Sequence, residues 1–105
     1  MRGDVYRLRS NRAAEGREQR GSRYGVVVQS DMLPLSTVLV APASTSATPA
    51  DFRPEIELEG QTARVLVEQT SAVNAETRLG DFAGRLAAAE LRQVDRALAL
   101  VMGLY

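Results

Sequence analysis

The sequence predicts a mainly β fold, a small twisted or barrel-like antiparallel sheet, with one helix at its C-terminal end. Short alternating or β-branched runs separated by turns extend to Leu86, and from Ala87 the apolar period changes to the three- and four-residue steps of a helix. A chain of 105 residues has room for one modest core. We therefore expect a single domain over residues 1–105.

The predicted strands follow one another through turns, with one long loop after the first strand. Val5 to Leu8 alternates apolar and polar residues, and the β-branched run Val26 to Val28 predicts the second strand. Pro42 to Pro54 is rich in Ala, Ser, Thr and Pro, which predicts a loop. The other predicted segments are strands at Thr37 to Ala41, Glu55 to Glu59, Ala63 to Gln69 and Phe82 to Leu86, with a turn segment from Ser71 to Leu79.

An apolar stripe predicts the C-terminal helix, with charged residues on the remaining surface. We expect this stripe to be core or dimer surface. The helix has a weak predicted start, because Ala87 to Ala89 offer no side-chain acceptor. The stripe consists of Leu91, Val94, Leu98, Val101 and Leu104.

Composition excludes several kinds of chemistry. The chain has no cysteine and no histidine, which rules out disulfides, thiol nucleophiles, imidazole bases and the commonest zinc sites. No apolar run approaches the roughly 20 residues of a membrane span, and no signal-peptide pattern is present, so we expect a cytoplasmic protein that does not engage a membrane.

The basic residues are all arginine, and they are unevenly distributed. Seven arginines stand against Asp4, Glu15 and Glu18 in the first 23 residues, a local balance of +4 in a chain of zero net charge. A GC-rich genome would also replace lysine by arginine, but it would not concentrate arginine at one end. Guanidinium groups match phosphate oxygens and stack on bases, so the first loop suits RNA.

Several motifs, taken in order, point to one family. The chain opens with Arg2-Gly3-Asp4-Val5-Tyr6, and its first loop carries Gly16-x-Glu18-Gln19-x-x-x-Arg23 ahead of the valine run. Val38 to Pro42 then enters a Ser/Thr loop, and Val65 to Gln69 ends in a Glu-Gln pair. With the apolar C-terminal helix, this order resembles the MazF/PemK toxins of bacterial toxin-antitoxin pairs over nearly the whole chain.

The resemblance implies an SH3-like (CcdB/MazF-type) small barrel, usually a symmetric homodimer, with metal-independent endoribonuclease activity and no cofactor. It also implies two partners: RNA, and a cognate MazE-like antitoxin whose tail covers the active groove. The chain departs from the family at two positions. Tyr24 stands where proline is usual, and Ser44 stands where threonine is most common, although Thr45 follows at once.

Cleaving RNA through its own 2′-OH requires charge stabilisation at phosphorus and proton transfer at both ends. A guanidinium suits the first task, so Arg23 is the main catalytic candidate, and the matching family arginine supports it. The resemblance assigns the catalytic hydroxyl to Ser44, and Glu18 could accept the 2′-OH proton or orient Arg23. The expected substrate-binding residues are Arg9, Arg12, Arg17, Gln19, Arg20, Thr45 and Gln69.

Two alternative functions remain open from the sequence. A non-enzymatic CcdB-like gyrase poison has the same fold, but such poisons depend on a C-terminal tryptophan and this chain has none. An RNA-binding barrel without catalysis would stack bases on exposed aromatic side chains. We expect most of the aromatic residues to lie in the core: Tyr6, Tyr24, Phe52, Phe82 and Tyr105.

Overall fold

The computed structural model describes residues 1–9 and 23–104. Within these residues seven strands form one antiparallel sheet, and a 15-residue helix follows, which confirms the predicted mainly β fold with a C-terminal helix. The strands are β1 (Asp4–Leu8), β2 (Arg23–Val27), β3 (Thr37–Ser44), β4 (Glu55–Leu58), β5 (Gln61–Val65), β6 (Ser71–Asn74) and β7 (Leu79–Arg85), and the helices are α1 (Ala75–Arg78) and α2 (Ala88–Met102).

Strand β3 is the centre of the sheet. The strand order is β4-β5-β3-β2-β1-β7, and β6 pairs with the first half of β3, where Val38 lies opposite Val73. Strand β5 pairs with β3 only at its end, at Ala43 and Ser44. The end of β3 therefore lies between β2 and β5, and it brings together segments that are far apart in the sequence.

Alternate residues of β2 face two different apolar clusters. Val26 belongs to the larger cluster, which Val94 of helix α2 joins. Val27 belongs to a smaller cluster on the other face of the sheet. Since successive side chains of a strand point to opposite faces, Arg23 and Tyr24 also diverge, and Tyr24 packs against the larger cluster.

Helix α2 begins without a capping side chain at Ala87, as the sequence predicts, but Glu90 of the first turn provides a substitute. The Oε1 of Glu90 accepts a hydrogen bond from the Ala87 N–H at 2.8 Å, and its Oε2 accepts one from the Glu57 N–H at 2.8 Å. One carboxylate therefore satisfies the start of the helix and ties it to β4.

The apolar stripe of α2 is only partly covered. Val94 is buried, and Leu91 and Leu98 pack against the larger cluster. Val101 is 42% exposed and Leu104 is 71% exposed. The first turns of the helix therefore join the core, and its last turn presents apolar side chains at the surface.

The structure corrects the predicted end of β3. The strand continues through Pro42 to Ser44, so the loop begins at Thr45 rather than at Pro42. The composition of this segment favours a loop, but Ala43 is paired on one side with Tyr24 and on the other with Val65. These long-range ladder hydrogen bonds outweigh the local preference.

The segment after β5 also differs from the prediction. Strand β5 ends at Val65, and the Glu68-Gln69 pair lies in a 3-10 turn, Val67–Gln69, rather than at a strand end. The chain turns here through two hydrogen bonds three residues apart, from the Gln69 N–H to the Leu66 carbonyl at 2.9 Å and from the Thr70 N–H to the Val67 carbonyl at 3.2 Å. The predicted turn segment from Ser71 to Leu79 holds β6 and the single-turn helix α1, and the last strand begins at Leu79.

The aromatic residues are less buried than expected. Tyr6, Tyr24 and Phe52 are half-buried, and Phe82 is 57% exposed, with its ring 5.7 Å edge-on from that of Tyr6. The clusters consist mainly of valine and alanine, and Tyr24 and Tyr6 pack against them from the side. In the part of the chain that the structure describes, helices long and apolar enough to cross a membrane do not occur.

Candidate active site

A row of side chains crosses four strands on one face of the sheet. The register pairs Ser44 with Arg64, and Arg64 with Glu55. It also pairs Tyr24 with Ala43, so the next pair outward sets Arg23 opposite Ser44. Directly opposite residues of an antiparallel sheet share a face, with Cα atoms roughly 4.5–5.5 Å apart. We call the four residues of this row, Arg23, Ser44, Arg64 and Glu55, the arginine-serine row.

Arg23 stands at the start of β2, supported by β1. It lies opposite Leu8, whose side chain packs so closely over Gly25 that a Cβ atom there would approach Leu8 Cδ2 to 2.8 Å. The Arg23 side chain is half-buried, and its Nε is buried without a hydrogen-bond partner among the described residues. A buried donor without an acceptor costs about 1–3 kcal/mol. The acceptor therefore lies outside the described residues, and a bound anion is one group that can supply it.

Ser44, rather than Thr45, is the hydroxyl that faces Arg23. Ser44 ends β3 in the same row, whereas Thr45 is exposed in the turn that follows. The Oγ of Ser44 accepts a hydrogen bond from the Ser46 N–H at 3.1 Å and lies 3.2 Å from the Ser46 Oγ. These contacts orient the Ser44 hydroxyl, and its proton is available to a ligand when the Ser46 hydroxyl is the donor between the two.

Arg64 flanks Ser44 on the side opposite Arg23. Its Nη2 donates to Glu55 Oε1 at 2.8 Å, and its Nη1 donates to the Arg53 carbonyl at 2.8 Å. Arg53 is itself fixed, because its Nε and Nη2 both donate to Glu68 Oε2, at 2.9 and 2.5 Å. The loop between β3 and β4 is thereby anchored beside the row, and Glu68 acts as an internal partner.

A second polar cluster occupies the opposite face at the same end of β2. The Tyr24 hydroxyl donates to Glu59 Oε1, which also accepts from Arg7 Nη2 at 2.7 Å, and the Arg7 guanidinium lies 5.0 Å from the centroid of the Tyr24 ring. The hydrogen bond to the Glu59 carboxylate, followed by burial, raises the pKa of Tyr24 above its ordinary value. We call Arg7, Tyr24 and Glu59 the tyrosine clamp.

The structure places three of the predicted substrate-binding residues away from the row itself. Arg9 follows β1, and its Nη1 donates to the Glu76 carbonyl at 2.9 Å. Gln69 is exposed in the 3-10 turn, and Thr45 is exposed beside Ser44. The remaining predicted site residues lie outside the described part of the chain: Arg12, Arg17, Glu18, Gln19 and Arg20.

Arg64 is the residue that the sequence interpretation missed. Its one local signal is its place between Ala63 and Val65, both buried, which marks it as the outward residue of an alternating strand. Nothing in the local sequence shows that β5 pairs with the end of β3. Only that pairing brings Arg64 beside Ser44.

The row can bind a phosphate group. Two arginines stand on either side of one serine along the row, and Glu55, the acidic member, has a side chain that is 60% exposed. Within the described residues, no group of three or more His, Cys, Asp or Glu side chains is arranged to hold a metal ion. Fold and site together define a small β protein with a helix on one side and a row of two arginines, a serine and a glutamate across its sheet.

Comparison with known proteins agrees with this class. The family model of PemK-like, MazF-like toxins of type II toxin-antitoxin systems matches residues 1–102. A Mycobacterium tuberculosis protein with a provisional toxin name is 42% identical over 104 residues, which cover 99% of this chain and 98% of that protein.

Two solved structures have the same fold. A mycobacterial endoribonuclease in complex with its cognate antitoxin has a TM-score of 0.81 at 20% identity, covering all of this chain and 96% of that chain. MazF from Deinococcus radiodurans has a TM-score of 0.79 at 19% identity, covering 96% of this chain and 94% of that chain. The chain belongs to the PemK-like, MazF-like toxin family of type II toxin-antitoxin systems.

Proposed function

We propose that this toxin is a sequence-preferring, metal-independent endoribonuclease of single-stranded RNA. The observation that carries the proposal is the buried Arg23 Nε, which lacks an acceptor among the described residues and belongs to the residue placed opposite Ser44. A phosphate oxygen is an acceptor that the guanidinium fork fits well. Family membership supports the proposal, and the mycobacterial structural relative is described as an endoribonuclease.

The proposed reaction forms a bond between the ribose 2′ oxygen and phosphorus and breaks the bond from phosphorus to the 5′ oxygen. It leaves a 2′,3′-cyclic phosphate and a 5′-OH. Arg23 donates hydrogen bonds to the non-bridging oxygens as their charge develops, and the Ser44 hydroxyl donates to the same phosphate from β3. Glu18 accepts the 2′-OH proton, and the departing 5′ oxygen, hydrogen-bonded by Arg23, takes up a proton from solvent.

Sequence preference would come from side chains that meet unpaired bases on either side of the cut. The proposed contacts combine the arginine-rich first loop with polar residues around β3, and any messenger, transfer or ribosomal RNA with a matching unpaired segment is a candidate target. These contacts are Arg9, Arg12, Arg17, Gln19, Arg20, Thr45 and Gln69.

Two protein partners complete the proposal. A cognate antitoxin would cover the basic row with an acidic or apolar tail. Both proteins would meet in the cytoplasm, where the RNA substrates of the toxin are found. A second copy of the chain would cover apolar side chains that one copy leaves exposed. Met1, Leu33 and Leu35 are 50%, 53% and 61% exposed and line one depression with Val38 and Ala75. Burial of such surface is the usual driving force for a homodimer.

The second candidate function is RNA binding without cleavage. It is favoured by the exposed Phe82 ring, which could stack on a base. It differs from the first in what Arg23 does. A binder would lose only part of its affinity without Arg23, whereas a nuclease would lose the charge stabilisation on which its chemistry depends.

The test compares the wild-type chain with Arg23→Ala on mixed single-stranded RNAs in EDTA, with mapping of the ends formed. We expect discrete cuts with 5′-OH ends in the wild type and a loss of about a thousandfold or more in the variant. Arg92→Ala is the matched control, since Arg92 is exposed on helix α2. Light scattering separately tests the proposed homodimer, which has twice the 11.4 kDa of one chain. Intact RNA with a folded wild-type protein would overturn the nuclease proposal.

A further inference from the structure

We propose that Arg64 is a second phosphate-binding arginine and that Glu55 occupies it until RNA displaces the carboxylate. The inference rests on the proposed endoribonuclease function and identifies a further substrate-binding residue for that reaction. It concerns the side of Ser44 that faces β5, opposite the side that Arg23 occupies.

The sheet geometry places both arginines on one face of the sheet, so neighbouring phosphates of one RNA strand can reach them. Strand β3 runs between β2 and β5, and neighbouring strands are about 4.8 Å apart. Arg23 and Arg64 are therefore roughly 10 Å apart at the backbone, with Ser44 midway between them. Ala63 and Val65 are buried in the larger cluster, so Arg64 points to the opposite face, the face of Ser44.

The hydrogen bonds of Arg64 hold its guanidinium group in place and leave some of its N–H donors unused. A guanidinium has five N–H donors, and the described contacts use one toward the Arg53 carbonyl and one toward Glu55. The first contact is to backbone that the Arg53–Glu68 ion pair fixes, so it keeps the plane of the group oriented. The second contact is the exchangeable one.

Glu55 competes only weakly with a phosphate for the Arg64 guanidinium. Its side chain is 60% exposed, whereas that of Arg64 is 23% exposed, and solvent weakens an ion pair with such an exposed partner. An RNA phosphate can take the place of this carboxylate and still leave the contact to Arg53 intact. The exposed carboxylate would then point into solvent, where its charge is hydrated.

Arg53 shows what a purely structural arginine looks like in the same region. All three of its guanidinium nitrogens are engaged inside the protein, two by Glu68 and one by the Thr48 carbonyl at 3.1 Å. Arg64 is less completely engaged than Arg53, because one of its two partners is a side chain on an exposed strand face. The contrast assigns loop anchoring to Arg53 and ligand exchange to Arg64.

The test measures cleavage kinetics, and the affinity for an uncleavable RNA with 2′-deoxyribose at the mapped cut, across a salt series. We expect Arg64→Gln to weaken binding about tenfold and to reduce the slope of log affinity against log salt by about 0.7, the value for one phosphate contact with a single strand. Glu55→Gln should tighten binding a few-fold. Glu57→Gln is its matched control, because Glu57 is exposed two residues further along β4 and accepts from Thr62 instead.

The double variant Arg64→Gln/Glu55→Gln separates a specific effect from general charge removal. If Glu55 acts through Arg64, its removal brings no gain once Arg64 is absent. An unchanged affinity and salt slope in folded Arg64→Gln, or equal gains from Glu55→Gln and Glu57→Gln, would overturn the inference while wild-type cleavage still supports the nuclease. A wild type that neither cuts nor binds RNA would overturn both. If Arg64→Gln fails to fold, the comparison of Glu55→Gln with Glu57→Gln decides alone.

Discussion

Adjacent residues of β2 lead to two polar clusters with opposite character. Arg23 enters the arginine-serine row, where its Nε has no acceptor among the described residues. Tyr24 enters the tyrosine clamp, where its hydroxyl donates to Glu59 and its ring lies under the Arg7 guanidinium. One face of the strand leaves hydrogen-bonding capacity open, and the other face uses it within the protein.

In a chain rich in arginine, binding and structural side chains can be distinguished by how far their guanidinium donors are engaged within the protein. A guanidinium whose donors are all satisfied internally contributes to stability, and its removal leaves partners unpaired. A guanidinium with an open or exchangeable donor gives up some stability and gains the ability to bind. Arg53 belongs to the first kind, and Arg23 and Arg64 belong to the second.

The largest effect that would sharpen this comparison is expected at the two hydroxyls after Ala43. Ser44→Ala should lower the cleavage rate about a hundredfold or more, because Ser44 lies in the row and is proposed to donate to the phosphate. Thr45→Ala should change the rate by less than about threefold, because Thr45 lies in the exposed turn. Single-turnover cleavage rates measure both. A larger loss from Thr45→Ala would show that the hydroxyl beyond the strand end serves instead.

The sequence predicted the elements that have a clear local pattern. Alternation marked β1 and β4, the valine run marked β2, and the apolar stripe marked α2. The sequence prediction failed at the end of β3, because Pro42 to Ser44 has the composition of a loop and becomes a strand only through pairing with β2 and β5. Folding of such segments is decided by partners distant in the sequence.

The candidate site likewise contains residues that the sequence singled out and residues that it missed. Arg23 and Ser44 are the candidates that the family resemblance carries, and extending the register of β2 and β3 by one pair sets them opposite each other. Arg64 could not be predicted, since its relevance depends on which strand lies beside β3. The clamp partner Glu59 was equally hidden, because it sits in the turn between β4 and β5 with a φ of +51°.

A smaller effect is expected from breaking the clamp. Tyr24→Phe should lower the free energy of unfolding by about 1 kcal/mol, the usual cost of losing one hydrogen bond, and should leave cleavage within about threefold of wild type. Glu59→Gln should cost a similar amount, and the double variant should cost less than the sum, because the two groups share one contact. Urea unfolding measures all three. A cleavage loss in Tyr24→Phe as large as in Ser44→Ala would contradict the separation of the two faces.

The smallest effect is a change in how stability depends on pH. The Glu59 carboxylate raises the pKa of Tyr24, and burial, followed by the charge of Asp4, raises the pKa of Tyr6. A tyrosine whose pKa is higher in the folded state contributes stability that is fully present below about pH 10, its unfolded value, and is lost as the pH rises through the folded value. The free energy of unfolding should therefore fall above pH 10. Tyr24→Phe should reduce that slope, and Tyr6→Phe should remove a separate part of it. Unfolding curves in urea from pH 8 to 11 test this expectation, and equal slopes for wild type and Tyr24→Phe would show that the clamp does not retain the tyrosine proton.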